Sequence, residues 1–470
     1  MRSMSRQALL AALILSISLP ALADERGPTE RGPTERLEAD LRALFADEGT
    51  LEIGEVEEAL IRDRVTAHDL HFAGPDGQQL WLDRYMVSGD YDRPDEVRIE
   101  GIRLETPGRE QSRLVAETLL LDTPSRAVLP LHEETWPADV TVDGLTVEAL
   151  SAEFDAQASE QGARTDRGRI TVERLQAAGV SRDALDVLEI SGVKGKAAGD
   201  DEFGSGTFAL AFARVEGLRG LEGAAEEREL DRLEVRDLSL DFDRLVASLS
   251  SLEADGDMTD GEGGFRLEAL ELDLARMIAL APEAERTRLR MLSNVLTDGS
   301  GRLRLDADSS GRWESGDAAS RLLGELTLTA EEAFGWALDA DLPVRLPEGV
   351  VPADYLARME SLEGVTLLGG RIDATLTDLG LFGRLPTIMA ASQGLSEAAF
   401  LEQARTQAQG FGMMLGPEIE AFFTGLVAMM AGEASELAIA LTLPAESELE
   451  ALSADPLALP ERLEMRVESR

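Results

Sequence analysis

Asp306-Ala307-Asp308-Ser309-Ser310-Gly311-Arg312-Trp313-Glu314-Ser315-Gly316-Asp317 is the stretch whose residue types and spacing come nearest to a chemical site. Acidic or hydroxyl groups stand at positions 1, 3, 5, 9 and 12 (Asp306, Asp308, Ser310, Glu314 and Asp317), with Gly311 at position 6. That is the ligand spacing of a twelve-residue calcium loop, so calcium is the one cofactor the sequence suggests. Two features oppose it. The closing residue is Asp, not the longer bidentate Glu, and the flanks alternate like strands rather than helices. Asp, Ser and Gly are equally the residues of an ordinary hairpin turn. The acidic run Asp255-Gly256-Asp257-Met258-Thr259-Asp260-Gly261 is a poorer match, with Asp260 at the glycine position and Arg266 at the glutamate position.

His68 and His71 would share a face on a helix. They sit in a strand-like stretch, where a separation of three is expected to point them apart, and the remaining histidine is His132. No Gly-x-Ser-x-Gly, Walker loop or His-Glu-x-x-His occurs. No catalytic residue is assigned. Carboxylate pairs of the glycosidase kind stay open, because 90 acidic residues supply very many pairs.

Those 90 acids face 45 basic residues, a net charge of −45, which disfavours nucleic acid and anionic bilayers as partners. There is no cysteine, so disulfides and thiolate chemistry are excluded. Lys194 and Lys196 are the only lysines, and Asn294 is the only asparagine. An acidic, lysine-poor chain suits a salt-adapted bacterium; a GC-rich genome gives the same arginine bias.

Arg2 and Arg6 precede the apolar run Ala8 to Leu19, and Pro20 precedes Ala21-Leu22-Ala23, a small-x-small cleavage pattern. Residues 1–23 are therefore expected to be a cleaved signal peptide, and the protein periplasmic or secreted. The later apolar run Ala421 to Gly432 is too short to span a bilayer, so no transmembrane segment is expected after cleavage.

The elements that must position any site follow from periodicity. Residues 24–36, a tandem Glu-Arg-Gly-Pro-Thr pentad, read as a flexible linker. Residues 37–62 read as an N-terminal helical segment on the spacing of Leu37, Leu41, Leu44 and Phe45. Residues 63–383 carry a recurring pattern: two apolar residues at spacing two, a step of three, then two more at spacing two. Its copies are Val65 to Phe72, Val97 to Leu104, Val140 to Val147, Ile170 to Ala177, Leu233 to Leu240, Phe265 to Leu272 and Ala374 to Leu381, with a partial copy from Leu188 to Val193. In a regular strand a step of three changes face. A bulge absorbs the extra residue and keeps one face buried. Helical inserts are expected over Phe242 to Leu252 and Leu274 to Val295.

Residues 384–434 are rich in Met and Ala and are expected to form an αα-hairpin, with Gly394 as a break and Ser396 as an N-cap. Phe400, Phe411, Met414, Phe422, Phe423 and Met430 on these helices are the candidate residues for an apolar ligand, since flexible thioethers fit variable partners. Residues 435–470 return to strand.

The copies Val97 to Leu104 and Val140 to Val147 resemble the strand pattern of AsmA-like bacterial envelope proteins, and the likeness extends over about residues 60 to 380. They also resemble secreted β-rich families of proteobacteria. The AsmA-like resemblance implies a long β-groove that handles lipid. Its members usually keep an N-terminal membrane anchor and lack a separate helical hairpin, and this chain departs from both features.

The expected fold is β-rich α+β: a long twisted antiparallel sheet with bulged strands, helical inserts and a C-terminal αα-hairpin. The expected function is non-catalytic, an envelope protein binding lipid or another apolar ligand along its sheet. The alternatives are a structural or protein-interaction module and, less favoured, a secreted carboxylate-dependent hydrolase.

Overall fold

A computed structural model describes residues 32–45, 49–59, 63–108, 110–127, 129, 140–156, 166–199, 203–223, 228–256, 261–316, 319–346, 366–448 and 462–470. The expected signal peptide and most of the linker lie outside them. The chain divides into two units, Met1–Asp243 and Arg244–Arg470, which are described separately.

The first unit begins with helix α1 (Pro33–Leu44). It starts inside the segment expected to be linker, because Pro33 takes the first helical position, where its missing N–H costs nothing. Among the described residues eleven strands follow. They are β1 (Thr50–Glu52), β2 (Glu55–Glu58), β3 (Arg64–Ala73), β4 (Gln79–Asp90), β5 (Arg93–Thr106) and β6 (Glu110–Asp122). Then come β7 (Val142–Ala156), β8 (Asp166–Val180), β9 (Ala184–Ala198), β10 (Gly206–Arg219) and β11 (Arg232–Phe242). The stretch 37–62 is thus only partly helical: β1 and β2 both pair with β3. From β3 to β11 each strand pairs antiparallel with the next.

The recurring odd step takes two forms. In the first unit the register is the same on both sides of it. His68 faces Arg84 and Leu70 faces Leu82; Glu100 faces Thr118 and Ile102 faces Ala116. Neighbouring strands therefore change face together, along a row through Asp69, Asp83, Gly101, Glu117, Ala149, Glu173, Gly192, Ala211 and Asp237. The odd-numbered strands carry the positive backbone angle: Asp69 (φ 51°), Gly101 (66°), Ala149 (53°), Gly192 (65°) and Asp237 (51°). Acids stand beside the two glycines, and a β-carbon added at Gly101 or Gly192 would run into Asp83 or Glu173. A second row repeats this with Gly179 (φ 61°), Asp186 and Gly217 (66°). The crease keeps apolar residues on one face at both ends of a strand. Val97 and Ile99 before it, and Ile102 after it, are all buried. This buried face continues across β3 to β9, and Leu37 and Leu41 of α1 and Phe45 just after it pack on it.

The second unit is a meander of β12 (Val246–Asp255), β13 (Glu262–Asp273), β14 (Arg302–Glu314), β15 (Ser320–Ala330), β16 (Phe334–Arg345), β17 (Thr366–Asp378), β18 (Glu436–Glu448) and β19 (Arg466–Ser469). Each pairs antiparallel with the next. Here the odd step is a bulge: the register of β13 and β14 slips between Leu267 and Leu270, with Ala269 at φ 52°. The expected helix over Phe242 to Leu252 is instead strand β12. Ser248, Ser250 and Ser251 are weak helix formers, and pairing with β13 supplies the ladder.

The insert after β13 is helical as expected: α2 (Leu274–Met277), a short 3-10 turn (Ile278–Leu280) and α3 (Glu283–Leu296). The insert after β17 holds α4 (Leu381–Gln393), α5 (Glu397–Leu415) and α6 (Pro417–Met430). The copy Ala374 to Leu381 is therefore not one bent strand. β17 ends at Asp378, whose carboxylate accepts the N–H groups of Gly380 (2.8 Å) and Phe382 (3.0 Å) and so starts α4.

Candidate functional site

Helix α6 anchors the helical insert. It follows Gly416-Pro417, packs on β18 and β19, and buries Val427 and Met429. Gly425 is required there, because Leu437 of β18 occupies the place of its missing β-carbon. Helix α5 is capped by Ser396, whose hydroxyl accepts the Ala399 N–H at 3.2 Å, as expected. It packs along α6, with Ala408 buried, and it approaches closely at Gly412, where Glu420 fills the β-carbon position. Arg405 ties the far end, pairing at 2.7 Å with both Glu402 and Glu433.

The structure brings three of the candidate residues together. The Phe411 ring stacks on Phe423 at 4.9 Å, and Phe422 meets Phe423 edge-on at 5.3 Å. Met414 lies just beyond this trio at the α5–α6 corner and is 77% exposed; its neighbour Met413 is 86% exposed. Phe400 and Met430 are half-buried elsewhere on the same helices. Met430 is seven residues from Phe423, about 10 Å along the axis. Met413 was not among the expected site residues. Helical periodicity finds residues that face a core, whereas Met413 marks a helix end facing solvent. No charge occurs between Arg405 and Glu418 in a chain that is 29% charged.

The sheet of the second unit has one apolar face. Ala307, Leu328, Trp336, Leu376 and Leu437 are successive cross-strand partners from β14 to β18. The adjacent row runs through Ser309, Leu326, Leu338, Ala374 and Ile439. This face is half-buried, with Trp336 45% exposed. Leu437 and Ala307 at its edges are buried, and a small buried cluster is formed by Trp313, Val344, Leu367 and Leu443.

The calcium reading does not survive the backbone. Asp306, Asp308, Ser310 and Glu314 lie along β14, so at strand rise Asp306 and Glu314 are about 27 Å apart. They cannot converge on one ion. Asp306 accepts the Ala269 N–H at 2.7 Å, and Asp308 pairs with Arg266 at 2.7 Å. Asp317 and Asp257 to Asp260 lie outside the described residues. His68 and His71 do share a face, because the crease at Asp69 falls between them. His68 contacts Glu57 at 3.1 Å and His71 stacks on Trp81 at 5.2 Å. Among the described residues no three histidines or carboxylates stand close enough to hold a metal.

No known family model matches the chain, and no curated protein matches it in sequence. The site's chemistry therefore rests on its own residues. Among the described residues no helix is long and apolar enough to cross a membrane.

Sequence reasoning also missed a cleft of about 1170 Å³ in the first unit, at the end shared by β4 to β10. Its lining includes Glu105, Arg113, Glu153, Arg169, Lys196 and Thr207. The signal available in the sequence was Lys194-Gly195-Lys196, the chain's only lysines, two positions apart on a strand.

Proposed function

We propose that this is a non-catalytic periplasmic or secreted envelope protein that holds lipid, or another apolar ligand, against its C-terminal helices and the apolar sheet face of the same unit. The observation that carries the reading is the α5–α6 corner. Met413 and Met414 are almost fully exposed beside the Phe411–Phe423 stack, in a stretch without charge. Large apolar side chains held out by an anchored helix pair leave apolar surface in water that an acyl chain would cover. Thioethers adapt to such chains without a fixed geometry. The half-buried sheet face adds apolar area with small residues, Ser309, Gly311, Gly324, Ala340 and Ala374, along its middle.

Titration of the full chain with a fluorescent fatty acid tests the reading. Saturable binding that weakens at least fivefold in Met413→Ser/Met414→Ser supports it. Identical binding by the double variant, or none by the wild type, overturns it. Both side chains point to solvent, so the variant keeps its fold.

A structural reading fits the first unit better, where α1 and the crease leave a filled core.

A further inference from the structure

We infer that the cleft at the rim of the first unit binds a phosphoryl oxyanion, with Lys196 and Lys194 as its cations. The cross-strand row through the cleft is Gln79, Glu105, Arg113, Glu153, Arg169, Lys196 and Thr207, each residue facing the next. Acid and base alternate along it as far as Arg169. Arg113 lies 3.5 Å from Glu105, and Arg169 lies 3.5 Å from Glu153. The alternation then breaks, for Lys196 stands directly opposite Arg169. Among the described strand pairings of this unit it is the one place where a cation faces a cation.

Like charges directly opposed destabilise a sheet. Glu153 relieves Arg169 but neither lysine faces an acid: Lys196 faces Thr207 and Lys194 faces Ala209 on β10, and Lys194 faces Thr171 on β8. The side chain of neither lysine has an ion-pair partner among the described residues. A chain with 90 acids does not lack carboxylates to place there. Two uncompensated positive charges on one strand face, one of them opening into a cleft with the Thr207 hydroxyl, match a dianionic phosphoryl group. The group could arrive as free phosphate or on a lipid headgroup. The inference is independent of the helical corner, which lies in the other unit.

Calorimetry on the full chain, at constant ionic strength set with chloride, tests it with inorganic phosphate and with dihexanoyl phosphatidic acid below its micelle concentration. Wild type is expected to bind at least one of them. Binding should weaken at least tenfold in Lys194→Gln/Lys196→Gln, persist in Lys194→Arg/Lys196→Arg, and be unchanged in Arg174→Gln outside the cleft. Phosphatidic acid binding tenfold tighter than phosphate assigns the headgroup; equal binding assigns the free anion. Heats no larger than those of chloride, or undiminished binding by the glutamine variant, overturn the inference. Removing opposed cations relieves repulsion, so the glutamine variant should melt no lower than wild type. A clear drop in its melting temperature would give the lysines to the fold and equally overturn it.

Discussion

The carboxylate of Asp306 on β14 accepts the backbone N–H of Ala269 on β13 at 2.7 Å, at the residue where β13 turns through φ 52°. The bulge twists that N–H out of the ladder, and the acid on the neighbouring strand takes it up. A positive-φ residue beside an acid recurs in the first unit, with Gly101 against Asp83 and Gly192 against Glu173. Part of the chain's large acidic excess thus sits at the faults of the sheet.

Asp306→Ala leaves a part-buried N–H without its acceptor, and it should cost about 1–3 kcal/mol in urea unfolding. Asp306→Asn keeps an acceptor and should cost less. Chelation should leave the melting temperature of wild type unchanged, because the side chain is engaged with the backbone; a chelator-induced drop would restore the calcium reading.

Ala269 and Ala149 hold a left-handed conformation that penalises a β-carbon. Ala269→Gly and Ala149→Gly should each stabilise, by up to about 1 kcal/mol. Gly101→Ala should destabilise by more than that, since φ is 66° and Asp83 occupies the space. Denaturant midpoints at constant slope decide all three.

Burial, then the neighbouring Glu96, raises the Asp122 carboxyl above the usual carboxylate range, and Arg98 offsets this only in part. A raised carboxyl is stabilising in its neutral form. Its contribution is fully present at acid pH and is lost as pH rises from roughly 4 through the folded value. Asp122→Asn should therefore raise the melting temperature slightly at pH 7 and change nothing at pH 3. An equal shift at both pH values would contradict this.

Helix α1 responds in the opposite sense. Arg36 lies over the Tyr91 ring at 4.7 Å and hydrogen-bonds Asp92, holding that carboxyl below its ordinary range. A lowered carboxyl stabilises above its unfolded value, and the gain is lost as pH falls through the folded one. The pair is largely exposed, so the effect is small. Hydrogen exchange over 33–44 should quicken modestly below about pH 4, and Arg36→Gln should remove that step. Leu41→Ala, in the core, should cost about 2–5 kcal/mol at any pH.

Much of this architecture was legible in the sequence. Val97 to Leu104 announced a one-faced strand with an odd step, and Ser396 announced the start of α5. What escaped was cooperative. The crease is shared by neighbouring strands, so Asp69 turning its strand cannot be told from a lone bulge until Asp83 is seen opposite it. For the same reason His68 and His71 were expected on opposite faces. Strand β12 escaped because Leu245, Leu249 and Leu252 keep helical spacing while β13 decides the outcome. Of the six candidate apolar residues, it is the structure that groups Phe411, Phe422 and Phe423. Met413 was missed because exposure at a helix end leaves no period. The cleft escaped because its row of charges exists only across strands.

Native mass spectrometry of the gently purified full chain tests the ligand reading most directly. Lipid-sized adducts on the wild type that largely disappear in Met413→Ser/Met414→Ser are the predicted result; a bare polypeptide mass in every wild-type preparation, or adducts equally abundant in the double variant, would contradict it.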